Sequence, residues 1–177
     1  RPSVGKTAFA LNLARNAAVE FGEGVAFFSL EMTDMELTDR LIASESGISA
    51  DKLKGKVKMN PEEWVVLEQS IKRLVKAPLY IDETPGITLT EFTAKAKRLV
   101  REKGVKIIFV DYLQLMHSGK PQQGGFSKVQ EVTEISNTLK TTAKDLKVPI
   151  IALAQLNRNL MSRAGSNGKP VLSDLKD

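Results

Sequence analysis

The first seven residues, Arg1-Pro2-Ser3-Val4-Gly5-Lys6-Thr7, match the phosphate-binding pattern G-x-x-x-x-G-K-[ST] from its second position onward. In that pattern successive backbone N–H groups cradle nucleotide phosphates, the lysine reaches the β- and γ-phosphates, and the hydroxyl ligates Mg²⁺. Pro2, Ser3, Val4, Gly5, Lys6, Thr7 and Ala8 are therefore expected to line a nucleotide, with Lys6 on the transferred phosphate and Thr7 on the metal. Arg1 stands where the first x belongs, so the opening small residue and the strand that feeds the loop are expected upstream of it. Ala8 to Phe21 reads as an apolar-rich helix whose N-terminal dipole points at the phosphates. A loop with an ordinary helix cap is the bland alternative, and the glycine-lysine-threonine leading straight into such a helix speaks against it.

Such a loop needs a carboxylate that holds Mg²⁺ through water at the end of a neighbouring apolar strand. Ile107-Ile108-Phe109-Val110-Asp111 offers four apolar residues before the acid; Leu79-Tyr80-Ile81-Asp82-Glu83 offers three, one of them a tyrosine, after Pro78. Strand quality favours Asp111, which leaves Asp82 and Glu83 as turn residues beside Pro85-Gly86. Asp111 is followed by Tyr112, so the base that activates an attacking water has to come from another strand. Glu31, directly after Phe27-Phe28-Ser29-Leu30, is the natural supplier, its plainer role being a dipole partner for a helix starting near Thr33. Gln155, at the end of a fourth strand, carries a neutral amide able to hydrogen-bond a γ-phosphate or the water; otherwise it is a polar strand-end residue.

The elements that must position these groups alternate along the chain. Strands are predicted at Val25–Leu30, Leu79–Ile81, Lys106–Val110 and Val148–Leu153. Thr33 with Glu36, Thr88 with Glu91, and Ser127 with Gln130 form capping boxes, and Asn60-Pro61-Glu62-Glu63 is a further helix start. Val129, Val132, Ile135, Leu139, Ala143 and Leu146 mark one buried helical face. Repeated βαβ units predict an α/β fold: a mostly parallel central sheet with helices on both faces and ligands at the carboxyl ends of the strands. The irregular segments His117 to Phe126 and Asn157 to Pro170 leave such ends and are candidates for function.

With 177 residues, 42% hydrophobic and 27% charged, the chain is about one globular domain. Zero cysteines exclude disulfides, thiolate zinc sites and cysteine catalysis, and suit a reducing cytoplasm. No apolar run approaches the roughly 18 residues that span a bilayer, so no membrane role is expected. A net charge of +5 is compatible with a polyanionic partner without demanding one. Lys95, Lys97, Arg98, Arg101, Lys103 and Lys106 read as a solvated basic face, His117 as a surface residue starting a loop, and Trp64 as an anchor packing its helix onto the core.

Arg1–Thr7, Phe28-Ser29-Leu30-Glu31-Met32, Val110-Asp111-Tyr112-Leu113-Gln114-Leu115 and Pro149 to Arg158 resemble, in order, four successive motifs of DnaB-type replicative DNA helicases, and the similarity covers essentially the whole chain. The resemblance implies a RecA-like P-loop ATPase core, here residues 1–177, working with ATP and Mg²⁺ as a homo-hexameric ring that moves 5′ to 3′ on single-stranded DNA. It implies Lys6 and Thr7 as phosphate and Mg²⁺ ligands, Glu31 as base, Asp111 as metal carboxylate and Gln155 as γ-phosphate sensor. The family's pore loop matches Ser173-Asp174-Leu175-Lys176-Asp177, placing Lys176 and Asp177 at DNA, with Arg158 a further DNA candidate. A primase, a helicase loader and a cytoplasmic, replisomal location follow from the same likeness. The family's collar domain and first core strand are expected before Arg1, and its arginine finger after Asp177. A recombinase-like or clock-type ATPase of the same fold, and a nucleotide-gated DNA binder without turnover, are the alternatives.

Overall fold

A computed structural model of the chain describes residues 5–119 and 128–155. Four strands, β1 (Gly24–Ser29), β2 (Leu79–Asp82), β3 (Val105–Asp111) and β4 (Ile150–Ala152), form one sheet in the order β2-β1-β3-β4. All three pairings are parallel, as the alternation of strands and helices predicts. The described helices are α1 (Lys6–Arg15), which continues as a π-helical turn over Asn16–Glu20, then α2 (Asp34–Ser46), α3 (Ala50–Leu53), α4 (Pro61–Lys76), α5 (Leu89–Lys103) and α6 (Lys128–Leu146).

Alternation along β1 and β3 divides their side chains between two cores. Ala26, Phe28, Ile108 and Val110 face α5 (Phe92, Ala96) and α6 (Ile135, Leu139). Val25, Phe27 and Phe109 face α1 (Ala10, Leu11, Ala14) and α2 (Leu37, Leu41). Strands covered on both faces need an unbroken apolar run, which is why these two are the most legible in the sequence. Phe27 and Phe109 stack with centroids 5.8 Å apart, and Phe28 meets Phe92 edge-on at 4.8 Å. Gly24 permits the closest approach of β1 to β3, since a Cβ there would lie 2.7 Å from the Gly104 carbonyl oxygen.

Thr33, Asn60 and Thr88 each cap a helix in a complete capping box with the glutamate three residues on. The Ser127 box lies outside the described residues. On α6, Ile135 and Leu139 are buried as predicted, and so is Thr142.

Four expectations need correction. Trp64 is 57% exposed, because α4 packs on α2 and the π-helical turn as an outer layer rather than on the sheet, and buries only Leu67 and Ser70. The last strand covers Ile150–Ala152 rather than Val148–Leu153: Pro149 has no N–H to donate and contributes only its carbonyl, to the Ile108 amide at 3.0 Å. His117 does not start a loop. Its backbone extends a parallel bridge to Thr88, donating to the Ile87 carbonyl and accepting from the Leu89 amide, while its ring stays largely exposed. Lys95 leaves the solvated basic face for an ion pair with Asp82 at 2.6 Å.

Candidate active site

Gly5 adopts φ 84°, a left-handed conformation that only glycine takes without strain, and turns the chain into α1 at Lys6. The Phe9 amide donates to the Gly5 carbonyl at 2.9 Å, which closes the first turn and leaves the earlier N–H groups of the helix free to face an anion. The Lys6 ammonium sits 5.2 Å from the centre of the Tyr112 ring and 3.5 Å from the Ala154 carbonyl oxygen. The first helical turn, the end of β3 and the end of β4 thus meet at one place. Pro2, Ser3 and Val4 lie outside the described residues; Thr7 and Ala8 occupy the first turn of α1.

Asp111 is the last residue of β3 and 1% exposed, and among the described residues no donor reaches either carboxylate oxygen. A buried carboxylate without a partner costs several kcal/mol unless a cation compensates it, roughly at the level known for buried ions in proteins. This donor set suits a hard divalent cation held by one carboxylate together with a hydroxyl, waters and phosphate oxygens. The rival pair is already engaged. Lys95 and Thr84 hydrogen-bond Asp82, and the Glu83 carboxylate accepts from the Asp34 amide at 2.6 Å. Partial burial by itself would raise the Asp82 carboxyl, but the bonds from Lys95 and Thr84 outweigh it and hold that group below its ordinary value.

Glu31 follows β1 by two residues, and parallel register sets Ser29 beside Asp111. The Leu30 amide donates to the Asp111 carbonyl at 2.8 Å, and the Ser29 hydroxyl donates to the Met32 carbonyl at 2.6 Å, bracing the turn that carries Glu31. The exposed Glu31 side chain and Asp111 bracket Tyr112, whose hydroxyl is pushed up by burial first and then by these two charges. The plainer role for Glu31, partner to the start of α2, is filled by others: Glu36 completes the cap and Glu83 takes the Asp34 amide. Gln155, just past β4, exchanges two hydrogen bonds through its backbone with the side-chain amide of Gln114. Arg158, Lys176 and Asp177 lie outside the described residues.

Lys6, Glu31, Asp111 and the Gln155 backbone therefore converge at the carboxyl ends of the strands. This arrangement can hold a nucleotide triphosphate, bind its metal, and present a carboxylate base to the phosphate end. A cavity of about 560 Å³ between α5 and α6, lined by Thr93, Asn137, Thr141 and Asp145 among others, lies on the opposite face of the sheet from α1 and has no cation on its walls. Sequence reasoning passed over Ser29, which braces Glu31, and Gln114, which holds Gln155. The signal for Gln114 was a lone polar residue between Leu113 and Leu115.

A family model described as the DnaB-like helicase C terminal domain matches residues 1–177. The replicative DNA helicase DnaB of Geobacillus stearothermophilus is 44% identical over 178 residues, which is 100% of this chain and 38% of that protein. The replicative DNA helicase DnaC of Bacillus subtilis (strain 168) is 43% identical over 178 residues, again 100% and 38%. Two solved structures superpose with a TM-score of 0.88 at 34% identity, each over 99% of this chain. One, a DnaB-like replicative helicase described with its interactions with primase, is covered over 41% of its length; the other, described as an ATPase domain, over 61%. The chain spans less than two fifths of the length of these two curated relatives.

Proposed function

The chain belongs to the DnaB-like helicase C-terminal domain family, and from that premise we propose that it is the RecA-like motor core of a replicative helicase, hydrolysing ATP to move 5′ to 3′ on single-stranded DNA. The observation that carries the reading is Asp111: a buried carboxylate with no donor among the described residues, at the end of a central strand whose next residue, Tyr112, carries the Lys6 ammonium over its ring. Asp111 and Thr7 would hold Mg²⁺, which would supply positive charge to offset that of the phosphates. Lys6 leaves the Tyr112 ring and the Ala154 carbonyl for the β- and γ-phosphate oxygens, where its charge offsets that of the transition state. Glu31 orients the attacking water and takes its proton as the bond between the γ-phosphorus and the leaving ADP oxygen breaks. Gln155 offers its amide to the γ-phosphate.

We infer a homo-hexamer that works with primase and a loader in the cytoplasm; a solved neighbour described with its interactions with primase supports the primase part. Among the described residues no helix is long and apolar enough to cross a membrane. In such a ring Lys176 and Asp177 line the channel, with Arg158 a further contact to the DNA backbone, and a neighbouring subunit lends an arginine finger. The test is ATP hydrolysis by the full-length protein with and without single-stranded DNA, followed by unwinding of a forked duplex. Stimulated turnover with 5′-to-3′ unwinding supports the reading. Stimulated turnover without unwinding points to a filament-forming ATPase, and DNA binding without turnover to a gated binder.

A further inference from the structure

The backbone hydrogen bonds between β3 and β4 run the length of β4 and continue past its last residue, Ala152, to Leu153. The Leu153 amide donates to the Val110 carbonyl at 2.8 Å, and the Leu113 amide donates to the Leu153 carbonyl at 2.9 Å. After Tyr112 the chain forms a single 3-10 turn over Leu113–Leu115, and the segment that follows β4 reaches Gln155 beside it. The side chain of Gln114 supplies a further rung. Its amide nitrogen donates to the Gln155 carbonyl at 2.8 Å, and its amide oxygen accepts from the Gln155 backbone N–H at 3.1 Å. A primary amide sets N–H donors beside a carbonyl acceptor, and this one makes a single bond of each kind to the Gln155 backbone, as a neighbouring strand would. Both residues are half-buried, where a lost partner leaves an N–H and a C=O to find water at some cost.

We propose that Gln114 is a positioning residue that locks the backbone of Gln155 to the segment carrying Asp111, so that the metal carboxylate and the γ-phosphate sensor move as one body. The proposal rests on the reading of Gln155 as the sensor. Gln114 holds the Gln155 backbone beside the segment that follows Asp111 and Tyr112, and neither bond uses the Gln155 side chain. From Gln155 the sequence runs directly into Leu156-Asn157-Arg158, the start of the segment with candidate DNA contacts.

The test uses the full-length helicase with Gln114→Met, which keeps the length and burial of the side chain but has neither donor nor acceptor, together with Gln114→Glu, Gln155→Ala and the Gln114→Met/Gln155→Ala double variant. Gln114→Glu keeps the acceptor for the Gln155 amide and loses the donor. The expected result for Gln114→Met is a fall in DNA-stimulated kcat of roughly 10- to 30-fold, two hydrogen bonds' worth, with KM for ATP within about threefold of wild type. Gln114→Glu should fall between Met and wild type. The double variant should be no slower than Gln155→Ala alone, because Gln114 acts only through Gln155. Backbone amides of residues 150–155 should exchange faster in Gln114→Met without ligand, while the rest of the sheet is unchanged. Normal turnover in Gln114→Met beside a slow Gln155→Ala overturns this proposal and leaves the sensor intact. Additive losses in the double variant also overturn it. Normal turnover in Gln155→Ala overturns the sensor reading, and this proposal with it.

Discussion

Replacing Asp111 by asparagine should make the ligand-free protein more stable while removing its response to metal and nucleotide. The wild-type carboxylate is 1% exposed and meets no donor among the described residues; the nearby Lys6 ammonium is turned to the Tyr112 ring and the Ala154 carbonyl. An uncompensated buried charge costs several kcal/mol, and an unpaired neutral amide roughly 1–3 kcal/mol. The substitution thus removes a net cost of about 2 kcal/mol. For a domain of this size each kcal/mol is worth about 2–4 °C, so ligand-free unfolding should shift upward by roughly 4–8 °C. Saturating Mg²⁺ with a non-hydrolysable ATP analogue, at about 100 times its Kd, adds roughly 2.7 kcal/mol to the wild type through mass action. The variant should gain only what the nucleotide binds without metal. The order of stabilities should therefore be reversed or levelled by ligand. Thermal unfolding of both full-length proteins, each with and without Mg²⁺ and analogue, reads this directly. A ligand-free variant less stable than wild type, or equal ligand shifts in the two proteins, would refute the reasoning.

Three further outcomes are expected. Asp82→Asn should leave most ATP turnover in place and instead alter the acid limb of stability. The Asp82 carboxyl is held low by Lys95 and Thr84, so its contribution is present above its unfolded pKa of about 3.9 and lost as pH falls through the lower folded value; a thermal-unfolding series from neutral to acid pH checks this. Glu45 is a 1% exposed carboxylate bridging Arg15 of α1 and Arg73 of α4, and Glu45→Gln should cost about 2–3 kcal/mol in denaturant unfolding, less than the roughly 3–5 kcal/mol for a fully buried pair because Arg73 is half exposed. Lys176→Ala in the hexamer should weaken single-strand binding about equally for all sequences and flatten its salt dependence by roughly one phosphate per engaged subunit, measured by fluorescence titration across salt concentrations; unchanged affinity and slope would move the contact to Arg158 and Arg163.

The fold was legible where burial is two-sided. β1 and β3 are unbroken apolar runs because both their faces are covered, and two capping boxes, at Thr33 and Thr88, together with the Asn60-Pro61 start, marked helix starts that the structure contains. Trp64 misled because a large aromatic on a well-capped helix signals packing but not against which layer; α4 rests on α2, and its apolar outer side is exposed. The choice between Asp111 and Asp82 could be argued from strand quality, but the ion pair that occupies Asp82 comes from Lys95, which a run of basic residues disguised as surface. Gln114 was hidden for a different reason. Its role depends on the 3-10 turn after β3 lying beside the segment after β4, a relation between segments more than forty residues apart in the chain that no local pattern carries.

The most direct measurement of the central claim is nucleotide binding and single-turnover ATP hydrolysis by the full-length protein and its Glu31→Gln variant, both with single-stranded DNA. Mg²⁺–ATP affinity should stay within about threefold of wild type and hydrolysis should slow by at least about a hundredfold, because the amide keeps the shape of the carboxylate but cannot take the proton from water. Hydrolysis by Glu31→Gln at the wild-type rate would contradict that claim.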